Sequence, residues 1–126
     1  MVRNVYSGRV HFHEGDGEIV PGVTVHKIGG HSRGLQCVRV ATGGGPVVLA
    51  SDSSHFYENF ETGKVFPITI DIGDVLAGYS RLVSLAGSRR RVVPGHDPLV
   101  LARYPALNAA TKGIVHRLDA ERLDPT

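Results

Sequence analysis

One stretch of this chain clearly repeats its apolar residues at the helical period. Val75, Leu76, Tyr79, Leu82, Val83 and Ala86 recur at spacings of one, three, three, one and three, which lines one face of a helix. Asp71 or Asp74 is placed to cap its start, and Gly87 to close its end. Ahead of this helix the chain reads as strands, and after it as one strand more. One helix covers only one face of a sheet, so the pattern predicts an α/β layer structure that is incomplete and lacks a partner layer.

The strands follow from alternation and from turn residues. Arg9 to His13 alternates Val10 and Phe12 against Arg9 and His11 and reads as a first short strand. Gly15-Asp16-Gly17 turns the chain, Glu18 to Val20 returns it, and Pro21-Gly22 turns it again. Val23 to Ile28 and Leu35 to Ala41 are strands, the second joined by Thr42 to Gly45 to an apolar run, Pro46 to Ala50, expected to be buried on both faces. Ser51 to Phe60 leaves the sheet through a helical turn, and Glu61 to Thr69 is a loop. Arg89 to Val93 feeds the last strand, which ends at Pro94-Gly95-His96, and a loose helical pattern spans Ile114 to Leu123. With no repeat or linker, residues 1–126 form a single incomplete domain, its core over 9–104 and its tail over 105–126.

Composition excludes some partners. The net charge of +2 is too small to argue for nucleic acid. No apolar run reaches the roughly 18 residues of a membrane span. Cys37 is the single cysteine, and no apolar signal segment follows Arg3, so the expectation is a cytoplasmic chain that binds no membrane.

Three fragments carry chemistry. Gly29-Gly30-His31-Ser32-Arg33-Gly34 lies between two strands, Ala50-Ser51-Asp52 closes a third, and Pro94-Gly95-His96-Asp97 closes the last. A histidine flanked by glycine at a strand end approaches a metal with little obstruction. Taken singly, His31 also reads as a loop-capping residue, Asp52 as a cap for the helical turn, and His96-Asp97 as a capping turn. Their order, each just past a strand, is what suggests a ligand set. His11, His13 and His116 read as exposed, Asp97 as structural, and Cys37 as a small buried hydrophobe.

These fragments resemble the C-terminal half of the metallo-β-lactamase fold, most closely that of the N-acyl homoserine lactonase-like hydrolases, over about Arg9 to Tyr104. Pro21-Gly22-Val23 and Asp52-Ser53-Ser54-His55 through Glu58-Asn59-Phe60 add to the likeness. The resemblance implies half of an αββα sandwich, a mixed or antiparallel sheet with one strong helix, and a two-zinc site at its edge. It implies that His31 ligates one zinc, Asp52 bridges both and His96 ligates the second. Water activated between the metals would attack a lactone or other ester carbonyl. Asp52 would help manage the proton. His55 is open between a contact to the substrate and a surface histidine.

The family's first ligand block, H-x-H-x-D-H, is not in this sequence. His11-Phe12-His13-Glu14-Gly15-Asp16 has no Asp-His pair at the required spacing. The expectation is therefore a chain that starts inside a longer family sequence and is weakly active or inactive alone. The alternative is a non-catalytic remnant that associates through its uncovered sheet face, as a homodimer or with a missing N-terminal half.

Overall fold

A computed structural model describes residues 2–124. Its sheet has five strands in sequence order: β1 (Gly17–Val20), β2 (Val23–Lys27), β3 (Gln36–Val40), β4 (Val47–Leu49) and β5 (Val92–Val93). The first four run antiparallel, and β5 lies parallel to β4. Among the described residues four α-helices accompany them: α1 (Val2–Tyr6), α2 (Tyr57–Thr62), α3 (Ile72–Ala86) and α4 (Leu99–Arg103). The expected helix is α3. Asp71 caps it by accepting from the Asp74 amide at 2.9 Å, and Gly87 ends it in the left-handed region.

Side-chain alternation sorts the sheet into two faces. Cys37, Val48 and Val92 point toward α3 and pack with its Val75, Tyr79, Leu82 and Ala86, joined by Tyr57, Phe60 and Phe66. Val47 and Val93 point the other way, where Tyr104 and Leu118 cover them. The Pro46–Ala50 run is apolar throughout because this central strand is covered from both sides. On β1 to β3 that second face carries Val20, Val23, Val25, Val38 and Val40, and these are only half-buried or exposed.

Three expectations need correction. Residues 9–13 form no strand, because β1 pairs with β2 alone and, among the described residues, no segment extends the sheet beyond β1. Residues 114–123 form no helix. Ala106 instead bridges His116, and Leu118 lies on the second sheet face, so tertiary contact overrides a weak periodicity. His116 is half-buried, donating from Nδ1 to the Tyr104 carbonyl at 2.7 Å. Among the described residues, no helix is long and apolar enough to cross a membrane.

Candidate metal centre

Strand direction decides where the three fragments meet. Two antiparallel steps separate β2 from β4, so these strands run the same way, and β5 runs parallel to β4. Their C-terminal ends therefore share one edge of the sheet. His31 follows β2, Asp52 and His55 follow β4, and His96 follows β5.

Two glycines let the loops close on that edge. Gly30 has φ +84°, and a Cβ there would lie 2.5 Å from Val75 Cγ2 and 2.8 Å from the Val75 amide nitrogen. Only glycine lets the loop press onto the first turn of α3. A Cβ on Gly95 would lie 2.6 Å from the Ser51 carbonyl oxygen. That contact seats the β5 loop against the β4 loop. The Gly95 amide donates to the Ser54 carbonyl and the His96 amide to the His55 carbonyl, each at 2.9 Å.

Asp52 is the hub. Its Oδ1 accepts from His96 Nε2 at 2.7 Å and lies 3.9 Å from His55 Nε2. Its Oδ2 lies 3.8 Å from His31 Nε2. The hydrogen bond from His96, opposed by burial, holds the Asp52 carboxyl below its ordinary pKa. Burial, with the nearby charge of His96, pushes His55 below the ordinary histidine value.

The residues around the hub fix the rings. His31 Nδ1 donates to the Ile68 carbonyl at 2.7 Å, which fixes the ring with Nε2 turned toward Asp52. The Ile70 and Asp71 amides and the Thr69 hydroxyl all donate to the Gly30 carbonyl, tying that loop to residues 69–71. Phe66 stacks on His55 with centroids 3.9 Å apart. Asp97 does not face the hub. Its carboxylate accepts from the Tyr57 and Leu99 amides, as a structural residue.

The structure thus brings His31, Asp52, His55 and His96 to one place. Phe66 and the Ile68 carbonyl escaped the sequence reading, which saw only a loop there. Imidazole nitrogens and a carboxylate suit zinc and neighbouring divalent transition metals. The Asp52 carboxylate with the imidazoles of His55 and His96 close around it, and the oriented His31 ring, fit such an ion.

No family model matches the chain. It is 36% identical to an N-acyl homoserine lactonase of Bacillus sp over 90 residues, 69% of this chain and 32% of that protein. It superposes with TM-score 0.60 and 36% identity on an N-acyl homoserine lactone hydrolase, solved with the product N-hexanoyl-L-homoserine bound at the catalytic metal centre. That match covers 68% of this chain and 34% of the hydrolase. This is a lactonase-like protein of the metallo-β-lactamase fold. The lactonase-like chain spans about a third of the length of the relatives it matches. A probable metal-dependent hydrolase from Staphylococcus aureus shares the fold at TM-score 0.64 and 20% identity, over 79% of this chain and 35% of its own.

Proposed function

We propose that the chain carries the strand-end part of a zinc-dependent hydrolase site that opens a lactone or a related ester. The observation behind this reading is Asp52 facing His31 through one carboxylate oxygen and His55 and His96 through the other. A divalent metal held by His31, Asp52 and His96 would polarise the ester carbonyl and lower the pKa of water. The chain's own residues hold the site in place and exclude bulk water on the His55 side. The ionised Asp52 carboxylate is the acceptor within reach for the proton released on attack. His31, Asp52 and His96 are ligands in this reading. Activity of the chain alone is low, since the H-x-H-x-D-H ligands are not in its sequence. A reducing, cytoplasmic setting fits a single buried cysteine.

The test is ring opening of N-hexanoyl-homoserine lactone by the purified chain, followed by chromatography with and without added Zn²⁺. Slow, metal-dependent opening that is lost in Asp52→Asn supports the proposal. Opening no faster than in buffer, from a folded chain at saturating metal, refutes it. A second reading is an association module. It is favoured by the valine face of β1 to β3, where Val20 is 53% exposed. Light scattering on the isolated chain distinguishes a dimer from a monomer.

A further inference from the structure

Asp52, His55 and His96 each offer one ligand atom, and these three atoms all lie within 4.8 Å of one another. His31 meets only the far oxygen of Asp52, at 3.8 Å, and falls outside this tighter group. We propose that Asp52 Oδ1, His55 and His96 form a self-contained one-metal centre, in which His55 is a metal ligand and not a contact to the substrate. The inference rests on the reading above that this edge holds a metal, and it changes what His55 does there.

Distances favour the assignment. A tetrahedral ion with bonds of about 2.0–2.1 Å holds its ligand atoms roughly 3.3 Å apart. The two separations from Asp52 Oδ1, 2.7 Å to His96 and 3.9 Å to His55, straddle that value. Small rotations of two rings about a fixed carboxylate reach it.

His55 is also held as a ligand is held. Its ring stacks on buried Phe66 at 19° between planes, and Phe56 meets its edge at 6.4 Å. Its carbonyl is tied to the His96 amide, and the neighbouring Ser54 is fully buried. The side chain is 17% exposed, against 58% for His96 and 37% for Asp52. The open side of the cluster is therefore at His96 and Asp52. That is where an exchangeable fourth ligand or a substrate oxygen would enter, and His55 forms the closed wall. Three protein ligands with one open position is the arrangement of catalytic zinc sites. Two imidazoles and one carboxylate select a borderline ion, Zn²⁺ or Co²⁺, over Ca²⁺ or Mg²⁺, which favour all-oxygen shells.

The test titrates Co²⁺ into the full chain after chelator treatment. Visible absorption reads coordination, a competing chelator reads affinity and elemental analysis reads stoichiometry. The expected result is one Co²⁺ per chain. His55→Phe, which keeps a ring against Phe66, lowers affinity by roughly tenfold or more, while His11→Gln, at an exposed histidine outside the cluster, stays within about threefold. Circular dichroism and a urea transition check that each variant folds. If His55→Phe does not fold, His55→Gln provides the same readout. Two ions per chain, no ion on the folded chain, unchanged affinity in the His55 variant, or an equal loss in His11→Gln would each overturn the inference. Lactone opening is measured separately. One bound ion without turnover refutes the proposed function alone, and metal-dependent turnover with unchanged affinity in the His55 variant refutes this inference alone.

Discussion

Gly95→Ala tests how the two ligand loops are coupled. Gly95 is not in the left-handed region, so the substitution acts through space and not through backbone preference. The added Cβ would sit 2.6 Å from the Ser51 carbonyl oxygen and 2.8 Å from its carbon. Ordinary non-bonded contact begins near 3.5 Å, so the loops must part by about 0.9 Å. The neighbouring atom is backbone, between a left-handed Ser51 (φ 50°) and the hub residue Asp52, and it has little room to yield. Overpacking of this kind costs about 1–3 kcal/mol. The same displacement takes His96 Nε2 from 2.7 Å to beyond the roughly 3.2 Å limit of a good hydrogen bond to Asp52. A urea transition therefore shifts to a lower midpoint with unchanged slope, and Co²⁺ affinity falls alongside it. A variant that loses stability but binds metal like the parent would refute the coupling. One unchanged in both would refute the contact itself.

Further predictions follow from the core and the periphery. Leu82→Ala, at a fully buried position under the sheet, destabilises by about 2–5 kcal/mol in a urea transition. Burial pushes the Cys37 thiol up to about 11, so it reacts slowly with a thiol reagent in the native chain and at once after denaturation. Asp16 accepts from His26 Nδ1 and from Arg81, and the hydrogen bond from His26 holds its pKa below the ordinary value. A depressed carboxyl contributes stability fully above its unfolded pKa of about 3.9 and loses it as pH falls through the lower folded value. Asp16→Asn is therefore less stable than the parent by under about 1 kcal/mol at pH 6, the group being exposed, and the gap closes below about pH 3.9.

Legibility in the sequence followed the strength of each local signal. Helix α3 had a periodic face, an aspartate cap and a closing glycine, and the structure agrees except at Leu76, which lies exposed beside that face. Strands β2, β3 and β4 were bounded by Pro21-Gly22, Gly29-Gly30 and Thr42 to Gly45, and they lie within the segments read as strands, β4 from its unbroken apolar run. Arg9 to His13 alternates just as well but has no neighbour to pair with, which alternation does not report. The segment from Ile114 to Leu123 has a weak helical rhythm, yet Leu118 is drawn onto the sheet and His116 onto the Tyr104 carbonyl. At the site, His31, Asp52 and His96 were visible because each follows a strand beside a turn. Phe66 and the Ile68 carbonyl were not, since their partners lie 11 and 37 residues away and no pattern links a loop to a ring.

The central claim is that imidazoles from separate strand ends close on the carboxylate of position 52. X-ray absorption at the zinc edge, on the chain loaded with one equivalent of Zn²⁺, tests it most directly. The account predicts a first shell of nitrogen and oxygen at about 2.0–2.1 Å with the outer-shell scattering of two imidazoles. Scattering from no imidazole, or a shell containing sulfur from Cys37, would contradict it.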